Sequence, residues 1–310
     1  MQTDKVAILF NPSAGKGKAL RKKKHLEKLL HKYDVPYDLF VTQNEDDLKT
    51  LARENSRIYA TLVGVGGDST FNIIVDEIIL SHADVTFGMI GLGSSNDITR
   101  EFNLGSLDKA CLALKKRHTR RIDLGCIVED TTVLRYYIGQ ANVGLGVLVT
   151  EHATEMTNRG SRWARVQTAA GISGIFNAYR SKKVPLPLKI VSDAEEIHGQ
   201  FVLATFNNIR YWATGRLLCP GAQPDDGKLD GCLIDTCSLF RFAYIALWAK
   251  KGRHTRAEGV EILQSPWFTV SSGEAFEVQT DGEIVHRADG STQFKTIQFK
   301  ILPQALSIIS

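Results

Sequence analysis

The fold class that this 310-residue sequence predicts is α/β, with a parallel sheet in its first part and a β-rich second part. Three observations lead there. Strand-like and helix-like segments alternate up to about Arg120, glycine-bearing loops follow three of those strands, and short β-like runs separated by turn residues take over afterwards. The length also favours two cores over one.

In the first part, Lys5–Phe10 reads as an apolar strand, and Ala19–His31 carries Leu26, Leu29 and Leu30 at helical spacing. Tyr37–Thr42 is strand-like and Glu45–Glu54 helical. Ile58–Val65 is a continuous apolar strand. Thr70–Leu80 bears the stripe Phe71, Ile74, Val75, Ile78 and Ile79, and Thr86–Ile90 is a further strand. This repetition implies a mainly parallel, Rossmann-like sheet covered on both faces, with ligand-binding connections at the strand C-termini. In the second part the strand candidates are Arg121–Val128, Val133–Ile138, Leu186–Val191, Phe201–Phe206, Leu229–Asp235, Phe268–Val270, Phe276–Thr280 and Phe294–Ile301. Helices are expected over Ser161–Tyr179 and Phe240–Lys250. The expected division is an α/β part in residues 1–120, to which 296–310 can return, and a β-sandwich part in 121–295.

Hydrophobic residues at 43% suffice for both cores, and the 23% of charged residues are dispersed without low-complexity tracts. Cys111, Cys126, Cys219, Cys232 and Cys237 form an odd set with no CxxC pair and no clustered histidines, which argues against zinc and for a reducing cytoplasm. The apolar run after Lys5 is too short for a signal peptide or a spanning helix, so membrane contact is expected to be peripheral and transient. A net charge of +4 does not imply nucleic-acid binding. Positive charge is bunched, however, in Lys16–Lys24, Lys115–Arg121, Arg180–Lys183 and Lys250–Arg256. Each run alone reads as a solvated face; together they suit an anionic lipid surface, at about 1 kcal/mol per nearby basic side chain.

The segment Thr61–Ile74, TLVGVGGDSTFNII, runs a buried strand through Gly66, Gly67 and Asp68 into a helix. Such a turn aims backbone N–H groups and a helix N-terminus at one place, which is an anion site, and Asp68 adds a carboxylate suited to Mg²⁺ beside it. The plain alternative makes Asp68 or Ser69 a helix cap. Gly91–Arg100, GLGSSNDITR, is a second such loop, offering Asn96 and Asp97. The third, NPSAGKG at Asn11–Gly17, is not a Walker A loop, because Lys16 is followed by Gly17 instead of Ser or Thr.

In this order the motifs NPSAGKG, GGDST, GSSND, DDGKLD (Asp225–Asp230) and DGE (Asp281–Glu283) resemble the diacylglycerol kinase catalytic family, which includes sphingosine and ceramide kinases and compact bacterial lipid kinases. The resemblance implies an ATP- and Mg²⁺-dependent transfer of the γ-phosphate to a lipid hydroxyl. It places nucleotide against Asn11, Pro12, Ser13, Ala14, Gly15, Thr42, Gly66, Gly67, Asp68, Ser69, Thr70, Phe71, Asn72, Ser94, Asn96 and Asp97. It also implies a structural Mg²⁺ on Asp226 with carbonyls of Gln223 and Lys228, where turn chemistry alone would read a hairpin. Asp281 and Glu283 are implicated in proton abstraction, with Glu283 preferred as base and Asp281 as its orienter.

Three positions depart from the family pattern. Ser69 replaces a glycine, at a cost of about 1–2 kcal/mol if that position has positive φ; Ile73 replaces a Glu, and Ser94 a Thr. An NAD-kinase-like phosphotransferase and a catalytically weak lipid- or nucleotide-binding relative therefore stay open as alternatives, as does a homodimer. Trp163, Phe176, Trp212 and Phe240 could line an acyl cleft or simply belong to the core.

Overall fold

The computed structural model describes residues 4–158, 167–181 and 183–310. The chain forms two compact units: one runs to Leu124 and takes back Pro303–Ser310, and the other is Gly125–Leu302.

In the first unit, strands β1 (Val6–Phe10), β2 (Tyr37–Val41), β3 (Thr61–Gly66) and β4 (Thr86–Gly91) lie in the order β2-β1-β3-β4, all parallel. Residues of β1 and β3 are buried throughout, which is why both read as unbroken apolar runs. Helix α1 (Ala14–Lys32) follows β1, α2 (Glu45–Asn55) follows β2, and α3 (Asp68–Leu80) follows β3. Arg53 of α2 donates to the buried carboxylate of Glu77 on α3 at 2.9 Å. After β4 come two helices that the apolar periodicity did not reveal, α4 (Asp97–Glu101) and α5 (Leu107–Lys116), the second capped by Ser106. Ile58 was expected in β3 but is an exposed turn residue, and the strand begins at Thr61.

The chain crosses into the second unit within β5 (Thr119–Glu129) and returns within the last strand, β17 (Phe294–Ile309). That strand was expected to stop at Ile301. Its end instead pairs parallel with β4, Ser307 opposite Thr86. The second unit is antiparallel. It contains β6 (Thr132–Tyr137), β7 (Gln140–Gly144), α6 (Leu145–Asn158), α7 (Gln167–Arg180), β8 (Leu186–Val191), β9 (Glu196–Asn207) and the small ribbon β10 (Tyr211–Trp212) with β11 (Arg216–Leu217). It continues with β12 (Leu229–Asp235), α8 (Leu239–Trp248), β13 (Val260–Ser265), β14 (Trp267–Phe276), β15 (Val278–Thr280) and β16 (Glu283–Ile284). Its core holds Phe201, Phe268, Phe294 and Phe299, with Phe206 stacked on Phe299 at 4.3 Å. The strand β7 and the helix α6 went unread in the sequence. Of the expected helix Ser161–Tyr179, residues 161–166 and with them Trp163 lie outside the described residues, as does Lys182 of one basic run.

Two aromatic residues weighed as core or cleft lining are not core. Phe240 is 87% exposed and Phe176 56%. Trp212 packs at the edge of a second apolar cluster built on α7, α8 and β12. All five cysteines are free thiols. Among the described residues no helix is long and apolar enough to cross a membrane.

Candidate active site

The loops after β1, β3 and β4 meet. Backbone N–H of Asn11 donates to Val65 O at 2.9 Å, and those of Leu92 and Gly93 both donate to Gly66 O, at 2.7 and 2.8 Å. The side chain of Asn11 accepts from the amide and hydroxyl of Ser13 and donates to Thr70 Oγ1 at 3.1 Å, tying the first loop to the start of α3. Gly15, Lys16 and Gly17 are all left-handed, so α1 becomes regular only after Gly17. At Lys16 this costs about 1 kcal/mol.

Glycine is required where the loops touch. A Cβ on Gly93 would lie 2.4 Å from Gly67 Cα, and one on Gly15 2.4 Å from Leu92 O. Backbone therefore meets backbone, and what the loops present to a ligand is peptide N–H. Gly67 precedes α3 without any side-chain cap, leaving the first N–H groups of that helix without an intrahelical or side-chain acceptor. This is the condition for an anion site.

Asp68 does not cap its own helix. Its carboxylate reaches across to the start of α4, accepting Asp97 N and Ile98 N at 3.2 Å each. Burial, and next the charge of Asp97, push its pKa up to about 6, against the pull of those two N–H groups and Arg100. Asp97 is itself buried, held by Ser95 Oγ at 2.7 Å and Arg100 Nη1 at 2.5 Å. Asn96 takes a left-handed φ of 56° and donates to Gly93 O at 3.0 Å, while its buried Oδ1 has no protein partner.

Ser69 lies inside α3 and is not among the positive-φ residues, so the strain that its replacement of glycine could have imposed is absent. Ile73 is buried on the same helix, where an apolar side chain packs. Thr42 is buried, with its hydroxyl on Phe10 O at 3.3 Å, and Phe71 packs edge-on to Phe87. Ser94 is exposed. A cavity of about 340 Å³ opens beside Leu92 and Asn96, and Lys18, Lys22 and His25 line it at i, i+4, i+7 spacing on α1.

In the second unit, Asp281 (φ 42°) and Gly282 form the tight turn between β15 and β16. Asp281 accepts the N–H groups of Gly139 and Gln140 at 3.0 Å each, and a Cβ on Gly139 would strike its carboxylate at 2.2 Å. Glu283 forms a very short ion pair with Arg135 of β6. Next to them runs a buried polar ladder: Gln279, Asn142, Thr205 in register on β15, β7 and β9, and Gln140, Asn207, Asp230 on β7, β9 and β12. In the DDGKLD segment, Asp226 Oδ1 accepts Lys228 N at 3.0 Å in an exposed turn that leads into β12, not a hairpin. Burial raises the pKa of Asp230 to about 6, with the charge of Asp226 also contributing.

Comparison with known proteins fits this geometry. Residues 5–127 match the diacylglycerol kinase catalytic domain, and residues 139–310 match the YegS C-terminal NAD kinase beta sandwich-like domain. The chain belongs to the diacylglycerol kinase catalytic family. This is a family of lipid kinases. A protein named diacylglycerol kinase in Mycobacterium tuberculosis is 28% identical over 284 residues, covering 90% of this chain and 88% of its own. One of the same name in Staphylococcus saprophyticus is 25% identical, covering 92% and 90%. A crystal structure of a diacylglycerol kinase from Bacillus anthracis superposes with a TM-score of 0.72 at 16% identity, over 100% of this chain and 97% of that one. At that identity it speaks for the fold alone.

The residues beside the glycine loops and the Asp281–Glu283 turn that sequence reasoning did not single out are Lys18, Lys22, His25, Arg135 and the polar ladder. The helical spacing of the first three within the Lys16–Lys24 run was a usable signal. Arg135 meets Glu283 across 148 residues, and nothing local announces it.

Proposed function

We propose that the protein transfers the γ-phosphate of ATP to a hydroxyl group of a diacylglycerol-like lipid. The observation that carries this reading is the uncapped N-terminus of α3 at the junction of three glycine-bearing strand ends. The α3 N–H groups, opened by Gly67, hold phosphate oxygens, and Lys18 and Lys22 supply positive charge on the cavity beside Leu92 and Asn96. Asn11, Thr70 and Asn96 fix the loops around that helix start.

An ATP-associated Mg²⁺ fits the chemistry of the donors present: Asp68 and Asp97 would offer it carboxylate oxygens, and a divalent cation there would relieve the repulsion that helps raise the Asp68 pKa. When bound it supplies charge neutralisation on the transferred group. A second, structural cation would rest, as the family resemblance implies, on Asp226 and on carbonyls of Gln223 and Lys228, in the exposed turn before β12.

Glu283 accepts the proton of the acceptor hydroxyl, oriented by Arg135. Asp281 is a positioning residue, because both its oxygens accept backbone N–H groups and fix the turn that carries Glu283. The enzyme acts in the cytoplasm, which suits five free thiols, and meets its acceptor at a bilayer.

The test is incubation of purified protein with γ-labelled ATP, Mg²⁺ and mixed lipids, with NAD as a separate soluble acceptor. Label is expected in a lipid fraction and to vanish in Asp68→Ala. Label in NAD alone, or no transfer with ATP binding intact, would overturn the reading.

A further inference from the structure

Helix α8 has the sequence LFRFAYIALW, apolar but for Arg241, which is tied to Glu258, and such a composition ordinarily marks a helix buried on most of its sides. Here only one side is covered. Phe242, Ile245 and Ala249 are buried, with Phe242 against Tyr179 of α7. On the opposite side Phe240 is 87% exposed, Tyr244 50%, Leu247 59% and Trp248 39%, and the Tyr244 and Trp248 rings lie 4.8 Å apart. Phe240, Tyr244 and Leu247 follow at steps of four and three, so they share one face. An exposed contiguous apolar face of this kind marks an interaction site.

Charge identifies the partner. The helix runs directly into Lys250, Lys251, Arg253 and Arg256, all exposed, and none of the four has an ion-pair partner among the described residues. Members of two other basic runs are committed. Lys115 pairs with Asp34, Arg117 donates to Asp4 O at 2.5 Å and Arg121 to Gln304 O, while Lys18 and Lys22 line the cavity beside the glycine loops. Among the described residues, α8 sets four such cations beside four exposed large apolar side chains, Phe240 being the most exposed of them. Aromatic rings on an apolar face beside lysine and arginine match the boundary of an anionic bilayer, where rings and leucine enter the acyl region and the cations meet head groups.

We propose that the Phe240–Tyr244–Leu247–Trp248 face of α8, with Lys250, Lys251, Arg253 and Arg256, docks the enzyme on anionic bilayers. The proposal rests on the reading of a lipid acceptor, and it is tested without ATP. Full-length protein is sedimented with phosphatidylcholine vesicles with and without phosphatidylglycerol. Binding is expected only with phosphatidylglycerol, and to weaken about tenfold or more in Phe240→Ser/Leu247→Ser and in Lys250→Glu/Lys251→Glu. Brominated phosphatidylcholine in the same vesicles is expected to quench a component of fluorescence that disappears in Trp248→Phe, while that variant still binds. Unweakened binding in both double variants, no Trp248-dependent quenching, or a change in oligomeric size at unaltered vesicle binding would each overturn the proposal. Phosphoryl transfer to a water-soluble, short-chain diacylglycerol is expected to be unchanged in both double variants, and its loss would also overturn the assignment. Wild type that docks in this manner yet transfers nothing would refute the kinase reading alone.

Discussion

The glycine loops of the first unit and the Asp281–Glu283 turn of the second achieve precision by opposite means. In the first, glycines bring backbone against backbone, and the ligand-facing groups are peptide N–H groups whose identity no side chain sets. In the second, side chains do the work: Asp281 clamps two amides near Gly139, and Arg135 holds Glu283. The lesson is that the two regions should fail differently. Added bulk should break the first, and lost charge the second.

The largest effect is expected from Glu283→Gln, which should lower kcat by about a hundred- to ten-thousandfold while leaving ATP binding intact, as removal of a general base does. Gly93→Ala comes next: its Cβ must displace the Gly67 backbone, and transfer is expected to fall about a hundredfold or more through misplaced phosphate donors. Asp68→Asn sharpens the electrostatic side. With a pKa near 6 before a cation binds, Asp68 protonates as pH drops through about 6 and opposes cation binding, so wild-type activity at limiting Mg²⁺ should decline there, and the variant's low residual activity should lack that acid limb. The stability sign follows from the same shift. A carboxyl whose folded pKa lies above its ordinary 3.8 favours the native state when protonated, a contribution present below pH 3.8 and lost as pH rises through about 6. Urea unfolding should therefore show Asp68→Asn gaining on wild type between about pH 4 and 7. The smallest effect is expected from Ser69→Gly. Because Ser69 is already helical, restoring the family's glycine should cost about 0.5–1 kcal/mol of stability and should not raise kcat.

Much of the first unit was legible because a parallel sheet buried on both faces writes itself as apolar runs, as in Val6–Phe10 and Thr61–Gly66. The glycine loops were legible because few residues other than glycine allow backbones this close. The second unit concealed more. In β7 Gln140 and Asn142 alternate with Ala141 and Val143, but the strand is only five residues long and buries its polar side as well as its apolar one, so polar residues there read as a loop. Asp281 and Glu283 could be picked out by motif, but their partners Gly139, Gln140 and Arg135 are distant in sequence. Ser69 raised a conformational question that only its backbone angle answers, and the exposure of Phe240 is invisible in a helix apolar but for Arg241.

Calorimetric titration of ATP with Mg²⁺ into wild type, Gly93→Ala and Glu283→Gln tests the division of labour most directly. The expected result is wild-type affinity in Glu283→Gln and little or no binding in Gly93→Ala. Wild-type affinity in Gly93→Ala, or lost binding in Glu283→Gln, would contradict a nucleotide site built from the backbone of the first unit.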